Sequence, residues 1–116
     1  MGHTVLRGDR KGTVPKTVEY IIHLAAYGNH YFQTKDTKIY KANVRLLFRL
    51  LMASKDMPYK GFINVSTTHH NLESGSWYGS TKAAGEYLVR AFVAQNNKPV
   101  INIRPYSIYG EREWYQ

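Results

Sequence analysis

Three short apolar runs, separated by two stretches in which apolar residues recur every three to four positions, outline this chain. The first run, VEYIIHLAA from Val18 to Ala26, is nearly continuous and rich in β-formers, the pattern of a strand buried on both faces of a parallel sheet. From about Thr34 to Ser54 the period changes. Tyr40, Val44, Leu47, Phe48 and Leu51 fall at helical spacing, with Lys38, Lys41, Arg45 and Arg49 mostly off that face. Lys55 to Pro58 end this helix, and a second strand is predicted from Phe62 to Ser66. A second helix, about Tyr78 to Gln95, is expected to pack through Ala84, Leu88, Ala91 and Phe92. Its small residues Ala83, Ala84 and Gly85 would let it lie close against the sheet. Asn96 to Pro99 close it, and a third strand follows from Val100 to Arg104.

Strand, helix, strand, helix, strand with short connections predicts an α/β fold, a parallel sheet covered by helices on its faces. In such sheets ligands bind beyond the carboxyl ends of the strands. Those ends are Ala25 and Ala26, Ser66 and Thr67, and Arg104 and Pro105. Residues 1–17 are basic, contain Gly2, Gly8, Gly12 and Pro15, and read as an irregular segment before a domain over residues 18–116.

Composition narrows the classes. A chain of 116 residues is one domain at most, and with no cysteine it has neither a disulfide framework nor a thiolate metal site. No apolar run approaches the roughly 20 residues of a membrane span, and no apolar block follows Met1, so the expectation is a cytoplasmic protein without a membrane partner. Sixteen basic against eight acidic residues leave a formal charge of +8. That balance fits an anionic partner such as a nucleotide or a phosphorylated sugar, or simply a solvated surface. The basic residues are scattered from Arg7 to Arg112 without helix-turn-helix or zinc-finger spacing, which argues against nucleic acid. His69 and His70 are adjacent and lack a third ligand at useful spacing, so no metal is predicted.

The chemistry concentrates in SWYGSTKAAGEY, Ser76 to Tyr87. Tyr78 and Lys82 stand four residues apart, on one face of a helix. A cation beside a phenol favours the phenolate and so makes a base of it. Tyr31 and Lys35 repeat the spacing, but in the polar lead-in to the first helix, where a solvated turn is expected.

Five pieces in order resemble the extended short-chain dehydrogenase/reductases, in their NAD-dependent sugar epimerase/dehydratase branch. They are IIHLAA at 21–26, Asn43 in YKANV, VST at 65–67, YGSTKAAGE at 78–86 and RPYSIYGE at 104–111. The resemblance implies part of a Rossmann-like, doubly wound parallel sheet, and NAD as cofactor with NADP left open. The implied substrate is a nucleotide-activated sugar, and epimerisation, dehydration and reduction stay open; a homo-oligomer is also expected. It also implies roles. Tyr78 is similar to the family's base, which takes a sugar hydroxyl proton while hydride leaves the same carbon. Lys82 resembles the lysine that binds the nicotinamide ribose and keeps the tyrosine pKa low. Thr67 resembles the residue that orients the reacting hydroxyl, and Asn43 the one that supports the lysine and the cofactor site. Leu24, Ala25 and Ala26 would pass the cofactor's ribose and pyrophosphate, Pro105 would lie near the nicotinamide, and Ser107 on the substrate side. Asp9 would face the adenosine end.

The interval from Thr67 to Tyr78 is shorter than is usual in that family, and no G-x-x-G-x-x-G occurs in the chain. The second point leads to an expectation of weak NAD binding or none by this chain alone. The resemblance covers about residues 18–111 and only the middle of a family member, so a piece of a longer protein is expected. The alternative reading is a non-catalytic remnant that self-associates through the open edge of the Val18 to Leu24 strand.

Overall fold

A computed structural model describes residues 2–8, 11–68 and 75–106. Along the chain run β1 (Tyr20–His23), α1 (Asp36–Tyr40), a π-helical turn (Lys41–Arg45), α2 (Leu46–Ser54), β2 (Gly61–Val65), α3 (Trp77–Asn96) and β3 (Val100–Ile103). The strands form a parallel sheet in the order β1-β2-β3. The chain is therefore α/β, with a parallel sheet and flanking helices, as its alternating pattern predicts. Residues 2–8 and 11–18 form no regular element. Among the described residues no helix is long and apolar enough to cross a membrane.

Two crossovers of the same hand, stepping in the same direction across the sheet, carry both helices to the same face. The register shows what this does to the strands. Ile21, Phe62 and Val100 are neighbours in one row, and they meet Leu47, Leu51, Val89 and Phe92 from the helices. Phe62 is fully buried at the centre of this core. The alternate residues Tyr20, Ile22, Ile101 and Ile103 are exposed. The first strand is thus not buried on both faces. Its continuous apolar run is two apolar faces, only one of which is covered among the described residues.

The helical stretch over 36–54 departs from its predicted face. Leu47 and Leu51 are buried as expected, but Tyr40 and Phe48 are exposed, and Ile39 and Asn43 take the inner positions. The inner residues Ile39, Asn43, Leu47 and Leu51 recur every four positions. In a regular α-helix such steps drift by about 40° each. The wider π turn at Lys41–Arg45 absorbs part of that drift and keeps the four on one face.

In α3 the inner face is also different from the predicted one. Phe92 is buried and Leu88 partly so, whereas Ala91 is exposed. The rest of the inner face is Gly79, Thr81, Lys82, Gly85, Glu86 and Val89. A Cβ on Gly85 would come within 3.0 Å of Leu47 Cδ2 and 3.4 Å of the Asn43 carbonyl oxygen, so this glycine lets α3 approach the other helix, not the sheet. Ser76 caps α3 by accepting from the Gly79 N–H at 2.9 Å. Asn97 ends it in the left-handed conformation, φ 50°, with Pro99 two residues on.

Candidate active site

All three strands run out at one edge of the sheet, and α3 begins above it. This edge collects Leu24 to Ala26 after β1, Ser66 and Thr67 after β2, and Arg104 and Pro105 after β3. Leu24, Ala25 and Ala26 are exposed, and two of them carry only a methyl group, so the backbone there is open to a ligand. Pro105 is half-buried. Asp9, Ser107, His69 and His70 lie outside the described residues.

Tyr78, Lys82 and Thr67 meet at this edge. The half-buried Tyr78 hydroxyl is hydrogen-bonded with Thr67, so the short connection after β2 still brings the two side chains together. Burial pushes the phenol above its ordinary pKa and the Thr67 contact pulls it part of the way back. The net direction is upward, opposite to what an adjacent cation alone would produce. Lys82 is 5% exposed, and its ammonium donates to the Val65 carbonyl at 2.7 Å. Burial lowers its pKa, and the Glu86 carboxylate works against that. Tyr31 and Lys35, the other copy of the spacing, are both exposed before α1.

Asn43 sits in the π turn and is 2% exposed. Its amide closes a two-way clamp on the loop after β1, accepting from the Tyr27 N–H at 2.9 Å and donating to the Tyr27 carbonyl at 2.8 Å. It also donates to Thr81 Oγ1 at 3.0 Å. These bonds tie the π turn to the loop after β1, one residue beyond Ala26, and to α3. Removing a buried amide that satisfies backbone groups costs about 1–3 kcal/mol. We therefore expect Asn43→Ala to lower stability by about that much in urea denaturation, and to speed hydrogen exchange at the Tyr27 amide.

Toward this edge the layer between sheet and helices turns polar. One row beyond Ile21, Phe62 and Val100 stand His23, Asn64 and Asn102. Asn64 donates to Asn102 Oδ1 at 2.9 Å, and Asn102 donates to the backbone carbonyl of Glu86 at 3.2 Å. Burial and the nearby Lys82 charge lower the His23 pKa to about 4. The Glu86 carboxylate accepts from Ser66 Oγ at 2.8 Å and pairs with Arg104 Nε at 2.8 Å. Ser66 and Arg104, expected as ligand contacts, thus turn their side chains to Glu86.

Sequence reasoning assigned no role to Glu86 or His23. The signal for Glu86 was present: Tyr78, Lys82 and Glu86 recur every four residues on one stripe of α3. For His23 no spacing pointed inward, because its neighbours Asn64 and Asn102 come from other strands.

Beside Tyr78 a cavity of about 360 Å³ opens toward the loop before α1, with Asn29, His30, Tyr31, Gln33 and Trp77 on its walls. A buried lysine and a half-buried tyrosine on one helix, aimed at the carboxyl edge of a parallel sheet beside an open loop of small residues, define a candidate proton-transfer site of the nucleotide-binding α/β class. The chain belongs to the NAD dependent epimerase/dehydratase family, whose model matches residues 7–115.

A curated relative from Bacillus subtilis (strain 168), the uncharacterized UDP-glucose epimerase YtcB, is 29% identical over 116 aligned residues, which cover 83% of this chain and 35% of that protein. The solved UDP-glucuronic acid 4-epimerase from Bacillus cereus in complex with NAD superposes with a TM-score of 0.74 at 25% identity, over 84% of this chain and 35% of that one. Its complex with UDP-glucuronic acid and NAD gives 0.72 at 27% identity, over 83% and 35%. The chain thus spans about a third of the length of these relatives.

Proposed function

We propose that this chain carries the reaction edge of an NAD-dependent epimerase/dehydratase acting on a nucleotide-activated sugar, with Tyr78 as base and Lys82 as the cation that activates it. The observation that supports it most is the meeting of Tyr78, Thr67 and Lys82 at one sheet edge. The residues present fit one end of the cofactor. Leu24, Ala25 and Ala26 leave the backbone after β1 open, and the Lys82 ammonium is a donor suited to ribose hydroxyls. NAD, when bound, supplies the hydride acceptor.

Everything else falls to the chain's own side chains. Thr67 orients the sugar hydroxyl, and Tyr78 Oη receives its proton. Burial opposes the phenolate, so holding it at neutral pH requires a positive charge nearby, and Lys82 lies one helical turn along the same stripe. Pro105 borders the same edge, and the cavity walled by His30, Tyr31 and Trp77 has room for the sugar. The relatives act on or bind UDP-glucose and UDP-glucuronic acid by name, which favours a UDP-sugar here. The test is turnover of UDP-sugars by the longer protein expected to carry this chain, before and after Tyr78→Phe.

A second reading, a self-associating module, is favoured by one observation. Among the described residues β1 pairs only with β2, and Tyr20, Ile22, Ile101 and Ile103 stand exposed on the sheet. An apolar edge and face of this kind invite pairing with a second copy. We expect sedimentation to show a dimer or larger species, and a clean monomer at high protein concentration would count against self-association.

A further inference from the structure

We propose that Glu86 is a positioning residue for the Tyr78/Lys82 site: its buried carboxylate ties the ends of β2 and β3 to α3 and so holds Thr67 and Lys82 where the reaction edge needs them. The inference rests on the reading of Tyr78 and Lys82 given above.

The geometry is a three-way tie. Glu86 Oε2 holds Ser66 Oγ at 2.8 Å, Oε1 holds Arg104 Nε at 2.8 Å, and the Glu86 backbone carbonyl takes the Asn102 amide at 3.2 Å. Ser66 is flanked by the two residues that the site uses. Val65 offers its carbonyl to the Lys82 ammonium at 2.7 Å, and Thr67 bonds the Tyr78 hydroxyl. A tie at Ser66 therefore sets both neighbours at once. Glu86 is 5% exposed, so its contacts act in a medium where charges are weakly screened.

The carboxylate has a second effect on Lys82, one turn earlier on α3. The described charged and titratable groups that act on that ammonium are His23 from β1 and Glu86 from α3 itself, and Arg104 from beyond β3 pairs with the Glu86 carboxylate. Burial works against the charged lysine, His23 is held neutral near pH 7, and Glu86 is the group that favours the charge. Arg104 pairs with that carboxylate and so offsets part of its charge as Lys82 feels it. Removing the charge of Glu86 and removing that of Arg104 must therefore shift Lys82 in opposite directions.

The experiment follows the Lys82 side-chain resonances by NMR as pH is raised, in the wild-type chain and in Glu86→Gln, Glu86→Asp and Arg104→Gln. We expect Glu86→Gln, which keeps a hydrogen-bonding partner for Ser66 but no charge, to lower the Lys82 midpoint. Glu86→Asp should return it toward the wild-type value, and Arg104→Gln should raise it. A Lys82 midpoint unmoved in folded Glu86→Gln, or lowered by Arg104→Gln, overturns the proposal. Should Glu86→Gln fail to fold, Arg104→Gln decides alone, because the Arg104 side chain is partly exposed and its loss leaves the core intact. The titration is read without turnover. A Tyr78→Phe protein that stays active removes the proposed function, and a wrong response of Lys82 removes this inference.

Discussion

In the longer protein expected to carry this chain, Tyr78→Phe is expected to reduce turnover of a UDP-sugar by about a hundredfold to ten-thousandfold, the usual contribution of a positioned acid or base. The substitution removes one oxygen and leaves the ring in place on α3. Its effect on folding is confined to the hydrogen bond with Thr67, worth about 1 kcal/mol net. The loss should therefore fall on kcat, with KM and the unfolding transition close to wild type. Because burial holds the phenol above its ordinary pKa, the wild-type rate should rise with pH through the range in which the phenolate forms. Wild-type turnover in the Phe variant would sink the assignment of Tyr78 as base.

Acidification is expected to destabilise the fold through His23. Its pKa is about 4 in the folded chain against an ordinary value of 6.5. The folded state therefore holds this imidazole neutral over a range in which the unfolded chain has already bound a proton. Stability rises with pH wherever the unfolded state carries more protons, so the His23 contribution is complete above about pH 6.5 and is lost progressively as pH falls toward 4. At about 1.4 kcal/mol per unit, the loss is of the order of 3 kcal/mol. Urea denaturation at pH 7 and at pH 4.5 measures it. His23→Gln, which cannot titrate, should flatten the dependence over this window, and an equally steep dependence in that variant would place its origin elsewhere.

Lys82 illustrates how far local spacing could be read. Four residues after Tyr78, it had to share a helix face with it, because helical geometry alone requires that. Spacing did not reveal that the ammonium would be buried and bonded to the Val65 carbonyl. The upward shift of Tyr78 has the same origin. Burial is a property of what covers the phenol, and the covering comes from other parts of the chain.

Asn43 and Glu86 mark the limit more sharply. Both are polar residues on helices whose inner faces were expected to be apolar, and both are almost fully buried. A search for hydrophobic periodicity passes over such residues. At Asn43 the π turn also changes the period, so that Tyr40 and Phe48 face out where a regular helix would have turned them in.

By itself the sequence determined the element order, the parallel α/β sheet, the edge at which the strands end, and the helix that carries Tyr78 and Lys82. These follow from local rules: alternation of strands and helices, helix-ending residues such as Asn96 to Pro99, and side chains four apart. Only the tertiary structure decided which sheet face is covered, which way α1 and α2 turn, and how the polar layer around Lys82 is assembled. That layer draws His23, Asn64, Ser66, Glu86, Asn102 and Arg104 from three strand ends and one helix. No local window contains them all, and only the packing of α3 on the sheet makes them neighbours.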